Sequence, residues 1–382
     1  MAFVLKPQAP VATELSWAQV HAFRLERHHL TKRAPKKDLA RVVGEIGGAQ
    51  AQVMSAAEIQ IGVRADCAAT DVRAALWKDR KLVKTWLMRG TLHLIPAQDL
   101  PLYTAAMRTR WIKPRNAWLK FFQLTEAQWT ALSETIGNAI SDEPMTREQI
   151  IAVAGKGQSE PVRQWLKFGW GGFLKPVARA GMLCFGPSQG QNVTFVRPDL
   201  WLGNWRDVDP DTALVEVARR YLRAYGPATK TDFARWFGTW TGVGNAAWKG
   251  LAGELAPVSV EGLRGDMLAS DLDRISAAPA GQSVQMLALF DPYLMGYASR
   301  SHLVEAAHAS KVSRTAGWIS AVVLMDGRVA GTWTHAVVKQ TLRITIEPFR
   351  RLPAAVTREV RSRAESLAEI LGLANVEVSI AR

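Results

Sequence analysis

The sequence predicts a mainly α chain with small β elements (α+β): three tandem helix–helix–hairpin units, then an antiparallel, barrel-like β element with one long helix. Three observations predict it. Helical stretches followed by a strand–turn–strand segment recur three times before residue 284. Beyond that point strand alternation takes over, with Asp326-Gly327 between two apolar runs, a strong two-residue hairpin signal. The 382 residues, 48% of them hydrophobic, are enough for several domains and a sizeable core.

The first unit, residues 1–120, opens with a helix over Leu15 to Leu30. It ends at His28-His29, read as a solvated helix end, and the basic turn Thr31-Lys32-Arg33. A basic amphipathic helix, Lys36 to Ile46, is closed by Gly47-Gly48, because glycine tolerates the angles of a helix exit. Ala56 to Val63 is a short helix. Asp71 to Asp79 is another, with Thr70 as its N-cap. Arg80 to Met88 leads into the turn Arg89-Gly90-Thr91, and Leu92 to Ile95 alternates like a strand. Helices followed by such a hairpin are the plan of a winged helix-turn-helix, with the hairpin as wing.

The second unit, 121–208, has a capping box at Thr146-Arg147-Glu148-Gln149 and a helical stretch from Pro161 to Ala180. Its hairpin, Met182–Phe185 and Val193–Val196, has a polar tip. The third unit, 209–283, has helices at Thr212 to Tyr225 and Asn245 to Leu255. Between them, Asp232 to Phe237 is capped by Thr229 or Thr231, and Val258–Val260 leads to a turn at Glu261-Gly262. In the last part, 284–382, an apolar strand ends at Asp291-Pro292, where proline stops the ladder. Strands over Trp318–Met325, Arg328–Val338 and Leu342–Ile346 form a meander. A helix over Leu352–Leu371 is bounded by Pro353 and Gly372, and Val376–Ile380 is a closing strand.

Net charge is +14, and residues 1–120 hold 20 Lys and Arg against 9 Asp and Glu. Such a balance points to a polyanion, most often nucleic acid. Two isolated cysteines, Cys67 and Cys184, give neither a disulfide framework nor metal spacing, so no metal or cofactor is expected and the compartment is a reducing cytoplasm. No signal peptide is expected, and the sequence holds no apolar run of membrane-spanning length. Most of the 15 tryptophans are expected in cores and interfaces.

The basic N-terminal third also contains Gln50-Ala51-Gln52. If this segment leaves the preceding helix extended, both carboxamides point to one side. A carboxamide both donates and accepts, which suits holding a water molecule; the alternative is two polar residues on a solvated turn. Arg89, Thr91 and His93 lie on the first wing. Arg89 could reach a phosphate, and His93, counted with these wing residues as a nucleic-acid contact, reads either as a buried, partnered histidine or as a base. Arg110 and Lys113 flank Trp111, either a solvated face or a backbone-binding patch. Arg300 could line a DNA channel, and His335 and Arg343 are possible contacts from the meander.

Gln50-Ala51-Gln52, Arg89-Gly90-Thr91-Leu92-His93-Leu94, Phe290–Tyr297 with Arg300-Ser301, and Asp326–Trp333 follow one another in an order that resembles the AlkZ-like winged-helix DNA glycosylases. The resemblance covers nearly the whole chain. It implies three winged-helix motifs and a β-barrel-like element arranged as a C around duplex DNA. In that family a Gln-x-Gln or Gln-x-Asp motif carries catalysis, which maps onto Gln50 and Gln52. The expected activity is hydrolysis of the glycosidic bond of cationic N7-alkylated purines in duplex DNA, including bulky adducts and interstrand crosslinks. The expected protein is a nucleoid-associated monomer without an obligate protein partner. A non-catalytic winged-helix regulator is the rival reading, although no heptad dimerisation helix is evident. A nuclease lacks the carboxylate cluster that metal-dependent cleavage needs.

Overall fold

The computed structural model describes residues 13–108, 119–120, 123–167, 172–203, 205–278 and 282–381. Helix accounts for 48% and strand for 23%, so the balance is mixed α/β, with more strand than a mainly α chain would carry. No helix among the described residues is long and apolar enough to cross a membrane.

Three small sheets and one larger sheet organise the chain. The first is β2 (Ala49–Gln50), β4 (Leu92–Pro96) and β3 (Leu82–Trp86), in that order and antiparallel throughout. The second is β5 (Met145–Thr146), β7 (Asn192–Val196) and β6 (Cys184–Gln189). The third joins β8 (Leu255–Val260) and β9 (Leu263–Leu268) with β1 (Thr13–Leu15) from the N-terminus, Thr13 in register with Val258. Each hairpin follows helices, as the sequence order implies. The parallel β1–β8 pairing carries no local signal. It buries Leu15, Val20 and Phe23 against Val258, Val260 and Met267, a core shared by residues nearly 250 positions apart.

The local punctuation acts as read at most positions. Thr146 and Thr229 cap their helices with reciprocal capping boxes. Gly47 and Gly48 both take positive φ, and their N–H groups donate to Gly44 and Val43 carbonyls, closing the helix Leu39–Glu45. One cap differs: the helix spans Ala69–Trp77, so Thr70 lies inside it. The Asp71 carboxylate instead accepts the Ala68 N–H at 2.9 Å. A carboxylate accepts more strongly at a helix N-terminus than a hydroxyl does.

The C-terminal sheet is a half-barrel ordered β10 (Val284–Leu287), β11 (Ala321–Met325), β12 (Arg328–Val338), β13 (Thr341–Pro348), β14 (Asn375–Ile380). Asp326 and Gly327 both have positive φ, as the tight hairpin requires. The expected all-antiparallel pairing fails at one edge. β14 runs parallel to β13, Leu342 opposite Val376, because the helix Ala354–Leu371 intervenes and brings the chain back in the same direction. That helix packs on the helix Met54–Gly62, where a Cβ on Gly62 would come within 2.5 Å of Ile370.

Tyrosines tie the third unit to the rest. From the helix Pro210–Tyr225, Tyr221 donates to the Gly296 carbonyl at 2.7 Å and Tyr225 to the Ile46 carbonyl at 2.8 Å. Trp86, Trp129, Trp236, Trp248 and Trp333 are buried, whereas Trp240 and Trp318 are exposed.

Candidate active site

Gln50 lies on the short edge strand β2. Ala49 and Ala51 both enter the core beside Val43, Ile61 and Leu94. Strand alternation therefore turns Gln50 to the opposite face, and Gln52 follows at a bend beyond the end of the strand. Gln50 is buried and Gln52 is exposed. The Ala51 N–H donates to the Leu92 carbonyl at 2.7 Å. The Gln50–His93 pair consequently falls at a non-hydrogen-bonded position, where side chains approach closely. The Gln50 carbonyl faces away from β4 and accepts from Gln60 Nε2 at 3.2 Å.

The Gln50 side chain meets Arg89. Arg89 Nη2 donates to Gln50 Oε1 at 3.1 Å and to His93 Nε2 at 3.3 Å, while Nη1 donates to the Trp236 carbonyl. Arginine is a donor only, so His93 Nε2 accepts, and the ring proton sits on Nδ1, which donates to the Thr91 carbonyl at 3.0 Å. Burial, reinforced by Arg89, drops His93 to about 3, so the ring is neutral at physiological pH. Burial also lowers Arg89 to about 10, and Arg300 and Arg235 push in the same direction.

The sequence allows Arg89 to reach a phosphate; the structure turns its guanidinium inward instead. Its backbone has φ +58°, and it is clamped by Gly238, where a Cβ would come within 2.4 Å of the Arg89 nitrogen. Thr91 closes this turn through its hydroxyl, which donates to the Met88 carbonyl at 3.1 Å. His93 is the buried, partnered histidine of its two readings.

Gln60 also donates to the Leu289 carbonyl at 2.8 Å, joining Gln50 to the C-terminal half of the chain. Beside it Arg64 and Asp291 form a fully buried two-bond pair, with distances of 2.6 and 2.9 Å. Asp291 caps the turn Pro292–Met295 as well, accepting the Tyr293 N–H at 3.0 Å. The expected strand end lies earlier, at Leu287, so Asp291 fixes a helix start instead, and it also neutralises a buried cation, a role with no signal in the linear sequence.

Arg300 is half-buried and donates to the Leu294 carbonyl at 2.6 Å; burial lowers it, with Arg235 adding to the effect. Arg89, Arg235 and Arg300 thus form one electropositive group. Arg235, exposed on the helix Lys230–Phe237, has no linear motif and was not foreseen. His335 and Arg343 are exposed on neighbouring strands β12 and β13, with Arg343 paired to Glu377 at 2.9 Å. Arg110 and Lys113 lie outside the described residues.

The acids nearest the glutamines in sequence are engaged elsewhere. Glu45 binds Arg41 and His29, and Glu58, buried, binds Arg73 at 2.6 and 3.2 Å. Among the described residues no group of three or more His, Cys, Asp or Glu is placed to hold a metal. The site offers two neutral amides, a neutral imidazole and three guanidiniums.

The family model described as DNA glycosylase AlkZ-like matches residues 43–370. An interstrand DNA cross-link repair glycosylase of Streptomyces sahachiroi is 35% identical over 375 residues, spanning 96% of this chain and 99% of that protein. The solved structure of Streptomyces sahachiroi DNA glycosylase AlkZ matches with a TM-score of 0.86 at 33% identity, covering 97% of this chain and 100% of that one.

Proposed function

The chain belongs to the AlkZ-like DNA glycosylase family, and on that premise we propose that it hydrolyses the N-glycosidic bond of cationic N7-alkylated purines in duplex DNA, bulky adducts and interstrand crosslinks included, with Gln50 and Gln52 positioning the water. The observation that carries this reading is the placement of Gln50, on a short strand with its amide oxygen held by Arg89 and with Gln52 two residues on at an exposed bend. Ala49 and Ala51 are locked into the core on either side of Gln50, and no carboxylate is among the partners of Gln50.

A neutral amide is a feeble base, so the chemistry must need little basicity. An N7-alkylated guanine carries a formal positive charge. When the C1′–N9 bond breaks, its electron pair neutralises the base, and no protonation is required. Water forms the new O–C1′ bond and releases one proton, giving a neutral free purine and an abasic sugar. Holding that water in line contributes several kcal/mol, and oriented amide oxygens favour an oxocarbenium-like sugar. No lysine nucleophile is called for, so no lyase step follows.

The remaining architecture fits the same reading. We take residues 1–120, 121–208 and 209–283 as three winged-helix units and 284–382 as the half-barrel with its helix, acting as a monomer on the nucleoid. The charge of +14 favours binding along the phosphate backbone. A crosslinked base cannot leave the helix freely, so a deep flipping pocket is not required.

The test is base release from duplexes carrying N7-methylguanine, a nitrogen-mustard crosslink or uracil. Wild type should release the cationic adducts and leave uracil. The Gln50→Ala, Gln52→Ala double variant should lose roughly 100-fold or more in rate with duplex affinity unchanged. Excision of uracil at a comparable rate would sink the proposal.

A further inference from the structure

We propose that Arg89 is a positioning residue that fixes which way the Gln50 carboxamide faces, so that the two glutamines take opposite roles, Gln50 donating to the attacking water and Gln52 accepting from it. This rests on the water-positioning reading above and deepens it.

The argument begins with hydrogen-bond polarity. A guanidinium has donors only, so the carboxamide atom 3.1 Å from Arg89 Nη2 is the oxygen. The Gln50 Nε2 group is therefore turned the other way. Arg89 is held rigidly enough to enforce this. Its second nitrogen is on the Trp236 carbonyl, its backbone sits in a left-handed turn, and Gly238 packs directly against it. His93 cannot compete for the amide oxygen, because its single proton is committed to the Thr91 carbonyl.

A water between the glutamines then accepts from Gln50 Nε2–H and donates one hydrogen to Gln52 Oε1, leaving a lone pair for C1′. Exposure of the two side chains fits this division. Gln50 is buried, whereas Gln52 is exposed and in contact with solvent. As the O–C1′ bond forms and the C1′–N9 pair passes to the purine, the released proton leaves on the Gln52 side into bulk water. The oxygen that favours the cationic sugar is also that of Gln52, since the Gln50 oxygen is occupied by a cation.

The experiment is single-turnover release of N7-methylguanine from a duplex between pH 4.5 and 9, alongside duplex affinity, for wild type, Gln50→Glu, Gln52→Glu, Arg89→Met and Arg89→Lys. A carboxylate at position 52 still accepts, whereas at position 50 it pairs with Arg89 and has no N–H to give. Gln52→Glu should stay within about tenfold of wild type and gain a rising limb in the glutamate range that the wild type lacks. Gln50→Glu should fall about 100-fold or more, the effect of deleting one preorganised donor. Arg89→Met should lose roughly 10- to 100-fold in rate at unchanged duplex affinity, and Arg89→Lys should recover part of it. Equal losses in the two glutamate variants would overturn the inference. So would an undiminished rate in Arg89→Met, or a loss of affinity alone, which would make Arg89 a phosphate contact. No release by wild type would overturn the water-positioning reading itself; the other adverse results, with wild type active, overturn only the division of roles.

Discussion

The Arg64–Asp291 pair is the strongest single test of how the C-terminal half supports the candidate active site. Both side chains have zero exposure, and two charge-assisted bonds join them. Asp291→Ala leaves a guanidinium in the interior without a counter-charge, which costs about 3–5 kcal/mol. It also removes the cap on Tyr293, worth about 1 kcal/mol. With an unfolding entropy of ~2 cal/mol/K per residue across a single cooperative unit, 4 kcal/mol corresponds to a Tm shift of roughly 5 °C. Asp291→Asn keeps a cap oxygen and so isolates the charge effect. Replacing both partners with apolar residues, Arg64→Met with Asp291→Leu, should cost less than Asp291→Ala alone, because no charge is left stranded. Urea unfolding of wild type, these three variants and the singles Arg64→Met and Asp291→Leu is the assay. A cost below about 1 kcal/mol for Asp291→Ala, or a double variant costing the sum of its singles, would refute the reasoning. The effect should reach the site as well. Arg64 donates to the Gln60 carbonyl at 2.7 Å, and the Gln60 side chain holds the Gln50 carbonyl. Release of N7-methylguanine should therefore slow in Asp291→Ala at temperatures where the protein remains folded.

Two further predictions concern stability and fit. His21, His28 and His93 are buried and their pKa values lie well below the usual 6.5, chiefly through burial, at about 3 for His21 and His93. The unfolded chain takes up protons that the folded chain refuses, so their contribution is full above pH 6.5 and is lost as pH falls from there toward 3. At pH 5 His21 and His93 should each have removed about 2 kcal/mol, on the order of 4 kcal/mol together, with His28 acting in the same direction; equal unfolding free energies at pH 7 and pH 5 would contradict this. Gly238→Ala puts a Cβ 2.4 Å from the Arg89 nitrogen at φ +84°. It should cost more than about 1 kcal/mol and slow base release by displacing Arg89, whereas Gly253→Ala, with nothing within 4 Å, should do neither. Paired melts and release rates decide it.

By itself the sequence determined whatever depends on neighbours a few residues apart. The capping boxes at Thr146 and Thr229, the Gly47-Gly48 helix exit, the Asp326-Gly327 turn and the Gln-x-Gln spacing are local, because a backbone angle or a cap is settled within one turn of chain. The ordered set of short motifs carried the family, and with it the glutamines. The partners of those glutamines were decided by tertiary structure. Arg89 looked like a phosphate contact because a cation beside a glycine turn carries no sign of its direction. Packing against Gly238 and Trp236, nearly 150 residues away, turns it inward onto Gln50. Asp291 finds Arg64 across 227 residues, and β1 finds β8 across a similar span, because burial selects which faces meet and which buried charge is neutralised. Strand direction at β14 followed from the helix before it once the sheet existed to receive it. Local chemistry wrote the two glutamines into the chain; the fold supplied the guanidinium that holds one of them.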